Sequence, residues 1–154
     1  AAELGVVGVA ARASGHAIDL RACAGFAPYD QLDVRIASHR NGDVAARIVV
    51  RFEEAFESIE LQRRILRRLP QGALLAPVGE APAGRWGIGW VEGWRGEVLV
   101  ALQAGAGGRV RRCHPHDPSW QNWPALEHAV IGNIVPDFPL INKSFNLSYA
   151  GADL

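Results

Sequence analysis

The sequence contains no methionine, only two cysteines and no excess of charge of either sign. Without methionine, and with Ala1-Ala2 at its start, the chain is expected to be an excised piece of a longer polypeptide, and function then belongs to the parent. Cys23 and Cys113 are too few for a disulfide framework and suit a reducing compartment. Sixteen basic residues balance sixteen acidic ones, which removes the global field that attracts nucleic acid or an anionic membrane. Long apolar runs are missing too. The longest, such as "EVLVAL" at 97–102, fall far short of the roughly 20 residues a spanning helix needs. No stretch joins a basic start, an apolar middle and a small-residue cleavage site, so no export signal is read.

What is present is ordinary globular material: 154 residues, 49% hydrophobic and 21% charged, enough for one domain with its own core. Residues 1–30 are rich in small side chains and change period often. They read as short helical or irregular pieces that pack against something else. "LDVRIAS" alternates apolar and polar residues and predicts a strand from Leu32 to Ser38. "HRNGD" supplies a turn, with Asp43 placed to cap a helix after it.

The strongest periodicity runs from Asp43 to Leu69. Val44, Ile48, Phe52, Ala55, Phe56, Ile59, Ile65, Leu66 and Leu69 recur at three- and four-residue spacings, the signature of a helix with one apolar face. Asp43/Arg47 and Glu60/Arg64 are read as i,i+4 pairs on its wet side. Pro70 and Gly72 stop it. Further on, "EVLVALQ" (97–103) and "RVRRCHP" (109–115) flank the glycine-rich "AGAGG" and predict a hairpin. Asn122 is expected to cap a short helix with Pro124 in its first turn. The tail from Ile134, with Pro136 and Pro139, reads as extended. The fold class is α+β: a long amphipathic helix and a small antiparallel sheet in a single domain, 1–154, with no repeats.

Few residues offer chemistry on their own. Cys113, His114 and His116 crowd together in "CHPH", but zinc wants four convergent ligands and no second pair stands out. A polar strand end accounts for them better. His16, His39 and His128 are scattered singles, and no nucleophile elbow supports a Ser148–His128–Asp153 triad. The glycines of "GRWGIGWVEGW" lack dinucleotide-loop spacing. Its Trp86, Trp90 and Trp94 recur every four residues and pack either in a core or against a partner. Arg12, set among small residues in "ARASG", stands apart from the helix charges as an arginine that needs a carboxylate.

In order along the chain, "GVVGVAARASG", "DLR", "PYD", "NGDVAARIVVRFEEAFES", "LPQG", "EGWRGEVLVAL" and "NWPALEHAVIGNIVPDFPLINKSF" carry a resemblance. They resemble the second half of the large subunit of membrane-linked nickel–iron hydrogenases of the formate hydrogenlyase and hydrogenase-4 type. The same stretches are similar to the 49 kDa protein of NADH–quinone oxidoreductase. The likeness covers nearly the whole chain, and its tail stays nearer the formate hydrogenlyase branch.

The resemblance implies a C-terminal fragment of a larger hydrogenase-large-subunit-like fold. In the hydrogenase branch the tail continues as Asp-Pro-Cys-x-x-Cys, whose thiolates hold nickel. Here Ser148 and Gly151 take the cysteine positions, a hard hydroxyl and no side chain where soft thiolates are needed. No nickel–iron centre is therefore expected, and no cofactor within this fragment. Arg12, Ser14, Ser148, Tyr149 and Asp153 become the cavity-lining candidates around the former metal site. The family implies an oxidoreductase complex, complex I-like or formate hydrogenlyase-like, in which the subunit takes part in electron transfer beside a quinone-type cavity. Its implied partners are an iron–sulfur small subunit carrying the cluster, other subunits, and the N-terminal half of the same chain. Its implied place is cytoplasmic, peripheral to the inner membrane and touching it only through partner subunits. The alternative is a non-catalytic scaffold that docks the iron–sulfur partner and keeps a vestigial pocket. Either way the fragment alone is not expected to be active.

Overall fold

The computed structural model describes residues 1–23 and 25–153. A 3-10 turn at Ala2–Leu4 leads into α1 (Gly8–Ala13) and α2 (Leu20–Cys23), and a second turn, Tyr29–Gln31, precedes the long α3 (Val44–Arg67). Three strands come next, β1 (Trp86–Gly93), β2 (Gly96–Ala104) and β3 (Val110–His116). α4 (Ser119–Ala129), α5 (Phe138–Phe145) and α6 (Tyr149–Ala152) complete the chain. This is an α+β arrangement, as the residue patterns predict. Residues 1–30 are indeed short helical pieces, and α1 among them is wholly buried.

α3 forms where its period places it, and the Asp43 carboxylate accepts from the Ala46 amide at 2.7 Å as its cap. Its orientation differs from expectation. The face packed on this chain carries Ala46, Val50 and Leu61 together with Arg47 and Glu57. The stripe read as core-facing looks outward instead, with Phe52 63% and Phe56 67% exposed beside exposed Ile48 and Ile59. The helix is thus apolar on two sides, and periodicity does not tell which of two such sides meets this piece of chain. The two wet-side pairs also fail. Arg47 is 3% exposed, while Glu60 faces Arg63 at 3.4 Å and Arg64 donates to the Asp33 carbonyl.

Residues 32–38 are extended with alternating burial, yet they form no strand. Their backbone lies along α3, whose side chains replace a strand neighbour. Glu57 accepts from the Arg35 amide at 3.2 Å, and Arg64 and Arg68 donate to the carbonyls of Asp33 and Gln31. Backbone polar groups need partners of some kind, and helix side chains serve here.

The sheet is antiparallel in the order β1-β2-β3, with Trp90 opposite Leu99 and Leu102 opposite Cys113. The expected hairpin is β2–β3, and Gly107 and Gly108 at its tip take the positive φ that its tight turn requires. β1 adds a third strand that its glycine content conceals. In a strand, a spacing of four residues is two pleats, so Trp86 and Trp90 share one exposed face with Ile88.

Two further expectations are corrected in the C-terminal third. α4 starts at Ser119, and Asn122 lies inside it as a buried strut rather than at its cap. Its carboxamide accepts from the Val7 amide at 3.0 Å and donates to the Val7 and Arg95 carbonyls, tying α1 and the β1–β2 turn to α4. The tail after Ile134 is helical, not extended. Pro139 sits in the first turn of α5, where a missing amide costs nothing, and Ile141 and Phe145 enter the core. At the centre, Gly8 meets the β1–β2 turn so closely that a Cβ there would stand 2.0 Å from the Arg95 carbonyl oxygen.

Candidate functional site

Arg12 lies in the last turn of the buried helix α1, where Val9, Ala10, Ala11 and Ala13 leave it no polar neighbour of its own. It is 1% exposed and reaches across to α3, β1 and the loop before α2. Its Nε donates to Glu54 of α3, and its Nη1 lies 2.9 Å from Glu92 Oε1 of β1 and 2.8 Å from the Ile18 carbonyl. Asp19 Oδ2 approaches the same Nη1 at 3.8 Å. Arg21 then clamps Asp19 through Nε at 3.0 Å and Nη2 at 2.7 Å, while Glu92 caps the Leu20 amide. The expected carboxylate partner of Arg12 is therefore a set of three, two arginines against three acids. Burial opposes the charge on Arg12, but Glu54 and Glu92 outweigh it and hold the guanidinium above its ordinary value. Burial likewise works against Asp19, and the hydrogen bonds from Arg21 pull it below the usual carboxylate range. For Glu54 burial wins over Arg12, and its carboxyl is pushed up.

A cavity of about 380 Å³ opens on this network. Arg12, Glu54 and Glu92 form its charged floor, Arg21, Ser58 and Gln62 add donors, and Ile59 and Trp94 supply apolar surface. A larger cavity of about 530 Å³ lies at the far end of the sheet beside Trp86 and Val110, remote from these groups.

A second group of arginines is built differently. Arg47 donates to Ser144 Oγ at 2.9 Å and to the Gly42 carbonyl at 2.7 Å, with its guanidinium 4.1 Å above the Phe145 ring. Desolvation, with repulsion from Arg51, lowers its pKa to about 10 against a small pull from Asp43. Arg51 is depressed by burial and by Arg95, although Glu54 partly offsets them.

The remaining candidates are spread over different places. Ser14 donates back to the Ala10 carbonyl at 2.8 Å and lines a cavity of about 210 Å³ with Arg47 and His128. Ser148 caps α6, accepting from the Gly151 amide at 3.0 Å, and its own amide donates to Ser119 Oγ at 2.9 Å. Tyr149 is exposed, with its ring 5.1 Å from that of Trp123, and Asp153 is exposed just past α6. Gly151 faces Asp117, whose carboxyl carbon lies 2.6 Å from where a Cβ would stand.

These residues do not fit nickel. The Ser148 hydroxyl is committed to an amide, and the side-chain space at position 151 holds a carboxylate group instead of a thiolate.

A profile of the family described as "Respiratory-chain NADH dehydrogenase, 49 Kd subunit" matches residues 1–82, more than half of the chain. The chain belongs to this 49 kDa subunit family. The chain is 39% identical over 145 residues to the carbon monoxide-induced hydrogenase of Rhodospirillum rubrum, covering 94% of itself and 40% of that protein. It is 32% identical over 147 residues to formate hydrogenlyase subunit 5 of Escherichia coli strain K12, covering 96% of itself and 26% of that protein. This 49 kDa-family chain thus spans well under half the length of these relatives. Among solved structures, a chain of an archaeal respiratory membrane complex, the membrane-bound sulfane sulfur reductase, superposes with a TM-score of 0.86 at 26% identity. That match covers all of this chain and 44% of the other. Among the described residues, no helix is long and apolar enough to cross a membrane.

The residue patterns of this 49 kDa-family chain single out Arg12 but not Asp19, Glu54 or Glu92. Glu54 reads as one of the exposed helix charges, and Glu92 sits in a glycine-rich stretch that gives no strand signal. The signal that does exist is stoichiometric. A deep arginine in an alanine helix requires acids from elsewhere, and of the three it meets only Asp19 of "DLR" lies close in sequence.

Proposed function

We propose that this chain is part of the large subunit of a membrane-associated oxidoreductase complex, complex I-like or formate hydrogenlyase-like, which takes part in electron transfer without a nickel–iron centre. The observation that carries the reading is the pairing of family membership with the altered ligand positions. Ser148 serves as a helix cap and Gly151 gives its space to Asp117. The implied partners are an iron–sulfur subunit bearing the cluster, further subunits, and the rest of the same polypeptide. The implied place is the cytoplasmic face of the inner membrane, reached through those partners.

A quinone-type substrate is supported by the Arg12 cavity, whose volume falls within the roughly 300–1,000 Å³ range of small-molecule sites. Trp94 and Ile59 offer a face to a planar ring, and Arg21, Ser58 and Gln62 offer donors to its carbonyl oxygens. The second reading, a scaffold with a vestigial pocket, is favoured by the tail. The cavity beside Gly151 is only about 190 Å³.

The test is nickel per subunit in the full-length protein purified with its partners, together with quinone-dependent electron transfer by that complex. Near-zero nickel with quinone reduction supports the first reading. Near-zero nickel without any electron transfer supports the scaffold, and about one nickel per subunit overturns both.

A further inference from the structure

Three arginines gather where α3 begins and β1 turns into β2, and among the described residues none of them bonds a carboxylate. Arg47, only 3% exposed, donates solely to the neutral oxygens of Ser144 and Gly42. The acid best placed to help it, Asp43, has its carboxylate committed to the Ala46 amide. Arg51, one helical turn on, has an Nε sealed from solvent and without an acceptor. Arg95 donates its Nε to the Asn146 carbonyl. Burial and then Arg51 depress Arg47, burial and then Arg95 depress Arg51, and a carbonyl oxygen compensates a buried cation far less than a carboxylate does.

The surroundings indicate what brings the missing charge. Arg51 stands at the edge of the outward face of α3, where Ile48, Phe52, Phe56 and Ile59 are exposed on a helix already packed on its other side. A helix apolar on both sides belongs to the interior of a larger core. The relatives supply the length for one, since this chain covers only 40% and 26% of the two described above. Polypeptide that seals such a face also excludes water and free ions from the arginines at its edge, so the counter-charge has to arrive on the covering element itself.

We infer that Arg47, Arg51 and Arg95 form a receptor for one or more Asp or Glu side chains carried by the part of the same polypeptide outside residues 1–154, the part that also covers the outer face of α3. This rests on the reading of the chain as a portion of a larger subunit. Binding restores to these arginines what Asp19, Glu54 and Glu92 already give Arg12.

The test uses the full-length subunit in its purified complex. R51K and, separately, R95K place a carbodiimide-reactive amine at two points of the receptor, so one variant remains if the other fails to assemble. Zero-length carbodiimide coupling followed by peptide mass spectrometry then locates the contacting carboxylate. The expected result is an isopeptide from the introduced amine at position 51 or 95 to an acid of the same polypeptide outside residues 1–154. The wild type gives none, because a guanidinium does not couple under these conditions. Coupling confined to acids within 1–154, coupling to another subunit, or no coupling from either position overturns the inference. Assembly and nickel content of the wild-type complex are read on the same preparation. A complex that assembles free of nickel but shows no such cross-link sinks this inference alone, and failure of the wild type to assemble sinks the proposed function.

Discussion

Arg12 and Arg47 are withdrawn from water to nearly the same depth, 1% and 3% exposed, and the two sites handle that burden in opposite ways. Around Arg12 the chain gathers carboxylates from α3, β1 and the loop before α2, and the guanidinium is held more firmly charged than in water. Around Arg47 it offers a hydroxyl, a carbonyl and an aromatic face, and the pKa falls to about 10. Depth alone therefore does not define a finished ion site. A buried cation with carboxylates around it marks a self-contained joint, and one held only by neutral oxygens marks the edge to which the inferred receptor is assigned.

The sharpest way to break the comparison is at the glycine that holds both sites in place. Gly8 has a φ of 62°, and a Cβ on it would strike the Arg95 carbonyl at 2.0 Å. Gly8→Ala should cost the full-length chain more than about 4 kcal/mol in denaturant unfolding, as backbone clashes in a core do. Gly107→Ala, with a similar φ of 63° and open space around it, should cost only about 1–2 kcal/mol. Equal effects at the two positions would show that the crossing is not close. Next in size is Arg12→Ala, which strands Glu54 and Glu92 and should cost about 3–5 kcal/mol in the same measurement. A loss under about 1 kcal/mol would mean that the carboxylates are not held by this arginine.

The two acids beside Arg12 should titrate on opposite sides of their ordinary values. Asp19 is lowered, so its contribution to stability is present above 3.8 and lost as pH falls through its depressed value. Glu54 is raised, so its contribution is full below 4.5 and lost as pH rises through its elevated value. Carboxyl carbon NMR on acidification should therefore show Glu54 taking its proton before Asp19. The reverse order would remove Arg21 as the clamp on Asp19. In the full-length chain Arg47→Met should cost about 3 kcal/mol, as removal of one partner from a buried ion pair does, and a loss under about 1 kcal/mol would erase the contrast with Arg12.

How much of this is legible in the sequence depends on whether a signal is local. The cap at Asp43, the length of α3 and the β2–β3 hairpin arise from neighbouring residues and appear where expected. The side of α3 that faces this chain does not, because Ile48, Phe52 and Phe56 make a better stripe than Ala46, Val50 and Leu61, which are small or widely spaced. Residues 32–38 show the same limit: their alternation reports one buried side but not whether a strand or a helix lies beside it. The proline-bearing tail reads as extended because Pro139 suits a first helical turn as well as a coil. The need of Arg12 for acids is readable, while its partners, 42 and 80 residues away, are not.

The contact between Gly8 and the β1–β2 turn also sets an order of events. α3 needs only neighbours a turn away and can form on the microsecond scale. The bond from the Val7 amide to Asn122 closes a separation of 115 residues, and such closures come late because their entropy is lost before any contact rewards it. A weakened crossing would then leave the folding rate nearly unchanged and quicken unfolding, so Gly8 governs how long the native chain persists rather than how fast it is reached.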